Sequence, residues 1–226
     1  MPKTHPRTNL IFDLDGTLID SVYQHVVSWR EALEAVGLHL SSWQIHRRIG
    51  MSDELLMNAF MRDSGHRLRD VEIEQAKKIQ TEAYFKLSEN VKPLPGAKEL
   101  LRTLKEKKVP HAIGTSSNHE RSKPSLEMLG IARRVPVITG DEIKRAKPNP
   151  DMFLACAQKM KVDISDCIIV GDSVWDLLAA QRARALGVGL LSGGFSADEL
   201  DSAGAYRVYD DPADLLEHLD EVGITA

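Results

Sequence analysis

Short apolar runs that end in polar turns constrain this chain more than any other feature. Asn9-Leu10-Ile11-Phe12 is halted by Asp13-Leu14-Asp15-Gly16-Thr17. An apolar run stopped by an Asp-Gly turn predicts a buried strand. Strands without polar alternation are typical of parallel sheets covered on both faces. Past the turn-rich stretch Lys92-Pro93-Leu94-Pro95-Gly96, helical and apolar segments alternate. The pattern predicts helices at 97–107, 123–129, 150–160, 174–186 and 212–219. It predicts strands at 109–114, 135–139, 167–170 and 188–191, with a weak edge strand at 206–209. Such alternation calls for right-handed βαβ units and an α/β fold with a parallel sheet.

Residues 20–90 break the pattern. Val22, Val26, Trp29, Leu33 and Val36 recur at helical spacing, and Gly37 closes that helix. Further helices are predicted at 43–48, 52–63 and 71–87, and residues 21–90 contain no proline. A helical insert therefore separates the first strand from the rest of the core. The expected division is 1–19 and 91–226 for the core and 20–90 for the insert.

Composition excludes several classes. The 226 residues carry 29 Lys and Arg against 33 Asp and Glu, a net charge of -4, so no basic excess is present to grip nucleic acid. Apolar runs stay well short of the roughly 18 residues that span a bilayer. The polar segment 1–8, with two prolines, lacks the pattern of a signal peptide. Cys156 and Cys167 both sit in apolar stretches and form no disulfide framework, which fits a reducing cytoplasm.

Four polar groups follow the apolar strands: Asp13 with Asp15, Thr115-Ser116-Ser117, Lys147, and Gly171-Asp172-Ser173 with Asp176. Singly, each has an ordinary explanation as a turn, a helix cap or a solvated loop residue. Together, in the crevice outside the carboxyl ends of parallel strands, they suggest phosphoryl transfer. Asp13 and Asp15 are two apart, so their side chains leave an extended backbone on one face. A carboxylate at Asp13 can attack phosphorus and form an aspartyl-phosphate. Carboxylates crowded beside a phosphate need a cation, and Mg²⁺ takes oxygen ligands and bridges carboxylate to phosphate. Asp172 adds a carboxylate from another strand end. Lys147 can neutralise a phosphate oxygen, and the Thr115 hydroxyl with the N–H groups after it, at Ser116 and beyond, can donate to the others. Asp15 would serve as acid toward the leaving alcohol and base toward water, a role that asks for a raised pKa.

The stretch Asp13-Leu14-Asp15-Gly16-Thr17-Leu18-Ile19-Asp20 resembles the first motif of the haloacid dehalogenase-like hydrolases. Ala112-Ile113-Gly114-Thr115-Ser116-Ser117 resembles the second. Lys147-Pro148-Asn149-Pro150-Asp151-Met152-Phe153 resembles the third, and Gly171-Asp172-Ser173-Val174-Trp175-Asp176 the fourth. The insert has the place and texture of that superfamily's small helical cap. The resemblance implies a Rossmann-like core with strand order 5-4-1-2-3 and Mg²⁺-dependent phosphate chemistry. It implies Asp13 as nucleophile, Asp15 as acid and base, Thr115 and Lys147 as phosphate binders, and Asp172 as metal ligand. Asp13 would bind the metal through its side chain and Asp15 through its backbone carbonyl. Asp176 would support the metal, directly or through its ligands.

Asp15 favours phosphate esters, because the dehalogenases lack the second aspartate. Phosphonate-cleaving relatives use a cap lysine, and Lys77, Lys78 and Lys86 lie in a polar helix expected to face solvent. The branch most resembled is that of phosphoglycolate phosphatase and β-phosphoglucomutase. The mutase carries an arginine shortly after its Gly-x-Ser, whereas Gly50-Met51-Ser52 is followed here by Asp53 and Glu54. The expected activity is a phosphatase acting on a small phosphorylated metabolite, with a sugar-phosphate mutase or a non-catalytic phosphometabolite-binding protein as alternatives. Arg47 or Arg48 is a candidate for a substrate carboxylate, the other reading being a solvated helix face. His25 is a candidate near Asp15. Trp29 and Trp43 are expected in the core of the insert. A monomer or homodimer in the cytoplasm is expected, without nucleic-acid or membrane partners.

Overall fold

The computed structural model describes residues 8–131 and 135–225; the polar segment before residue 8 lies outside them. Strand β1 (Asn9–Phe12) and the two-residue β2 (Ile19–Asp20) lead into helices α1 (Val22–Ala35), α2 (Ser42–His46), α3 (Asp53–Ser64) and α4 (Asp70–Ser88). The chain returns through β3 (Lys92–Pro93). It continues as α5 (Ala97–Glu106), β4 (His111–Gly114), α6 (His119–Met128), β5 (Val137–Ile138), α7 (Asp151–Met160) and β6 (Cys167–Gly171). It ends with α8 (Val174–Ala183), β7 (Leu186–Leu190), α9 (Ala197–Ser202), β8 (Ala205–Tyr209) and α10 (Pro212–Glu217). Among the described residues, no helix is long and apolar enough to cross a membrane.

Six parallel strands form one sheet in the order β5-β4-β1-β6-β7-β8. The five strands of the anticipated order keep it, and β8, the weak edge strand expected at 206–209, extends it beside β7. Period-two alternation sorts the side chains between two faces. Leu10 and Phe12 join Ile113, Ile168, Val170 and Val188 on one face, under Leu100 and Leu104 of α5 and Leu215 of α10. Ile11 joins Ala112, Cys167 and Ile169 on the other, under Met152, Phe153 and Cys156 of α7 and Ala179 and Ala180 of α8. Both cysteines are free and buried.

The helices α1–α4 bury their own cluster, with Val26, Trp29 and Leu33 of α1 against Leu56 and Phe60 of α3 and Ala76 of α4. Two crossings join them to the sheet. These pair as the antiparallel β2 and β3, with Ile19 opposite Pro93 and Asp20 opposite Lys92. Strands of two residues are too short to carry a periodicity, so the sequence did not reveal them.

Three local expectations need correction. Trp43 is 68% exposed, because α2 is a single short turn that buries only Ile45. Helix α6 begins at His119 rather than 123. The Asn118 side chain accepts from the Arg121 N–H and caps the helix there, and Pro124 sits in its interior. Helix α8 stops at Ala183 because Arg184 turns left-handed, at φ 62°.

Gly96 opens α5 directly after the second crossing. Its φ is +72°, and a Cβ there would lie 2.4 Å from the Ala213 Cα. Left-handed backbone costs an ordinary residue about 1–2 kcal/mol before any clash is counted. Gly96→Ala is therefore expected to lower Tm by about 4 °C or more, at about 2–4 °C per kcal/mol for a chain of this size. Thermal unfolding checks this, and an unchanged Tm would contradict the assignment.

Candidate active site

The neighbours of β1 connect in opposite directions, and a crevice opens there at the carboxyl ends of the strands. Asp13 leaves the end of β1, Thr115 the end of β4 and Asp172 the end of β6, and Lys147 comes from the loop after β5. All four line one cavity with Asp15, His25, Ser116, Ser117 and Arg121.

Lys147 is the centre of the arrangement. Its side chain is 1% exposed, and its ammonium lies 2.9 Å from Asp13 Oδ2 and 2.9 Å from Asp176 Oδ1. Burial alone would favour the neutral amine, but Asp13 and Asp176 outweigh it and hold the lysine charged, well above its ordinary range. Asp176 in turn accepts from the backbone N–H of Ser173, in the first turn of α8. It therefore stands behind Lys147 as well as beside Asp13 and Asp172.

Asp13, Asp172 and Asp176 each offer a carboxylate oxygen, all within 4.8 Å of one another. Asp13 Oδ1 is buried with no hydrogen-bond partner among the described residues. Asp172 Oδ1 accepts from the Thr17 hydroxyl at 2.8 Å. Two glycines keep this corner open: a Cβ on Gly193 would come within 1.9 Å of Asp172 Oδ2, and one on Gly16 within 2.4 Å. An all-oxygen donor set with an orphaned carboxylate oxygen fits a hard divalent cation. Burial first, then Asp176 and Asp13, push Asp172 well above the usual carboxylate range. Burial also raises Asp13 to about 7, against the pull of Lys147.

Asp15 behaves differently. The Ser21 hydroxyl donates to its Oδ1 at 2.6 Å and the Ser117 hydroxyl to Oδ2 at 3.1 Å, with Thr115 Oγ1 at 3.4 Å. His25 Nε2 lies 3.4 Å from Oδ1, its ring stacked on Tyr84 at 4.2 Å. Burial would raise Asp15, but the His25 imidazole and then these hydrogen bonds hold it well below the usual carboxylate range. The raised pKa anticipated for an acid at this position is therefore not what these protein groups give.

The Ser116 hydroxyl turns toward the helices and donates to the Gly50 carbonyl at 2.9 Å. Arg47 and Arg48 do not line the cavity. Arg47 pairs with Glu199 and covers the Phe195 ring, while Arg48 pairs with Asp63 at 2.9 Å. Ser117, grouped with Thr115 in the sequence, lines the cavity; Arg121 and Asp53 also line it and escaped the sequence reading. Arg121 was hidden by the misplaced start of α6; the signal that could have found it is Asn118, a cap residue three positions upstream.

The Asp13 carboxyl sets a pH dependence. A group whose folded pKa is raised contributes stability at low pH that is lost as pH rises through the folded value. Without a divalent cation, Tm is expected to fall between about pH 5.5 and about pH 8, and a cation that binds the ionised form should restore more Tm at the higher pH. Asp13→Asn should weaken both effects, leaving the share that the raised Asp172 carboxyl contributes. Thermal unfolding with chelator and with Mg²⁺ reads them, and equal cation shifts at both pH values would contradict the site.

The geometry has close counterparts. A crystallised hydrolase from Pseudomonas syringae superposes with a TM-score of 0.92 at 45% identity, covering 95% of this chain and 99% of that one. Fructose-1-phosphate phosphatase of Escherichia coli is 30% identical over 77% of this chain and 91% of its own length. Phosphoglycolate phosphatase of Neisseria meningitidis is 30% identical over 80% of this chain and 79% of its own. The haloacid dehalogenase-like hydrolase family model matches residues 8–184. With Asp13 at the end of β1, Lys147 and an acidic cluster on one crevice, the chain belongs to the haloacid dehalogenase-like hydrolases.

Proposed function

We propose that this protein is a Mg²⁺-dependent phosphatase that hydrolyses a small phosphorylated metabolite, of the phosphoglycolate or sugar-phosphate type, through an aspartyl-phosphate on Asp13. The observation that carries this reading is the fully buried Lys147 held between Asp13 and Asp176, with Asp13 Oδ1 left without a partner among the described residues. Relatives named as phosphatases of fructose 1-phosphate and of phosphoglycolate support the reaction class.

Asp13 and Asp172, with the Asp15 backbone carbonyl, would hold Mg²⁺, and Asp176 would support them. Bound there, the ion supplies charge to offset that of the phosphate dianion. Lys147 and the Thr115 hydroxyl, with the N–H groups of Ser116 and Ser117, would bind the phosphoryl oxygens. An Asp13 carboxylate oxygen forms a bond to phosphorus as the bond from phosphorus to the ester oxygen breaks. Asp15 gives its proton to that leaving oxygen. Water then attacks the same phosphorus, Asp15 takes the water's proton, and the bond from Asp13 to phosphorus breaks to release phosphate.

Asp15 needs a proton that its protein neighbours alone do not favour. The charge on an incoming phosphate supplies the missing push, since a second anion beside a carboxylate raises its pKa. His25 and the hydroxyls of Ser21 and Ser117 keep Asp15 oriented meanwhile. The helices of residues 20–90 form the cap in this reading. They meet the leaving alcohol and exclude water during the first step.

A generic chromogenic phosphate ester tests the proposal. Hydrolysis is expected with Mg²⁺, and none after exhaustive chelation. Asp13→Asn keeps the shape but removes the anionic nucleophile, so kcat should fall by about 10³-fold or more. Near-wild-type turnover in that variant, or full activity after chelation, would sink the reading.

A further inference from the structure

Arg121 lines the cavity, yet the phosphoryl chemistry gives it no task. Its side chain is 5% exposed and comes from the first turn of α6, on the sheet side of the cleft. Nη2 donates to Asp53 Oδ2 at 2.9 Å and Nη1 to Gln80 Oε1 at 2.8 Å. Gln80 is itself fixed, because its amide donates to the Ser28 hydroxyl, which donates to the His25 carbonyl. The guanidinium is thus clamped from α3 and α4, while its Nε is buried with no hydrogen-bond partner among the described residues. A buried donor left unpaired is costly unless something completes it.

The charge of Arg121 is already matched by Asp53. Together they present N–H donors and a carboxylate acceptor with no net charge. A hydroxyl group suits such a pair, since it both accepts and donates. A carboxylate or a second phosphate does not, because it brings only acceptors and meets the Asp53 charge, with Asp13 and Asp15 further along the same cavity. Trp29, Met51 and Leu56 line the cavity too and offer apolar surface to the C–H face of an alcohol.

We infer that Arg121 and Asp53 form a specificity pair that accepts phosphate esters of neutral, hydroxylated alcohols, meaning sugar or polyol monophosphates. The pair disfavours esters bearing a carboxylate or a second phosphate. The inference rests on the phosphatase reading above and narrows its substrate class.

The test compares kcat/KM for glycerol and hexose monophosphates, phosphoglycolate and a hexose bisphosphate. The wild-type protein is expected to favour the monophosphates of uncharged alcohols by about tenfold or more. Asp53→Asn removes the opposing charge and leaves Arg121 uncompensated. It should raise the ratio of phosphoglycolate to polyol phosphate by about tenfold, through KM. Arg121→Ala should depress the esters of uncharged alcohols most. Thermal-shift binding of the same esters to Asp13→Asn ranks them without turnover. If no ester is hydrolysed, the phosphatase reading fails, while this ranking still decides the selectivity. A wild-type preference for phosphoglycolate or the bisphosphate, or a ratio that Asp53→Asn leaves unchanged, would overturn the inference.

Discussion

A buried ammonium between two carboxylates governs the rest of this site. Lys147 has no access to water, so its charge survives only because Asp13 and Asp176 flank it at hydrogen-bond distance. Removing both partners would leave the ammonium buried and uncompensated, which is among the more damaging changes a core can suffer, whereas either one alone still pairs with it. The constraint also runs outward. Asp13 must leave β1 at its carboxyl end, Asp176 must sit in the first turn of α8, and Lys147 must reach in from the loop after β5. The parallel sheet meets all three demands because its carboxyl ends gather where the connections diverge.

The two acidic residues of the first motif are tuned apart by their surroundings. Asp13 faces a lysine and other carboxylates in a buried pocket and is pushed up to about 7. Asp15, two residues on, faces His25 and hydroxyl donors and is held down. Position on the strand gives them a common cavity, and neighbours from β4, β6 and the inserted helices give them different chemistry. That difference makes separate roles for the pair physically reasonable, with the substrate's own charge supplying the shift that Asp15 still needs.

Much of this was legible in the sequence. Asn9–Phe12 read as a strand because it is uniformly apolar and ends in Asp-Gly. Asp13, Thr115, Lys147 and Asp172 could be gathered in advance because each follows such a strand, and parallel order places those ends together. The inserted helices were legible from periodicity. What escaped depends on contacts between elements. Arg121 matters through Asp53 and Gln80, which lie on two other helices far along the chain. Arg47 was a reasonable candidate for the cavity, but Glu199 and Phe195 hold it elsewhere. Trp43 carries every local mark of a core residue, yet α2 is too short to turn it inward. His25 was placed near Asp15 in advance, but its lowering of the Asp15 pKa escaped, because that follows from the 3.4 Å approach of the imidazole from α1.

The central claim is that Asp13 carries the phosphoryl group between the two steps. Rapid acid quenching during turnover of a phosphate ester, followed by mass spectrometry of the digested protein, addresses it directly. The account predicts one phosphoryl group on the peptide that contains Asp13, appearing as the ester is consumed and disappearing when it is exhausted. A phosphoryl group recovered on another residue, or on none while the ester is consumed, would contradict it.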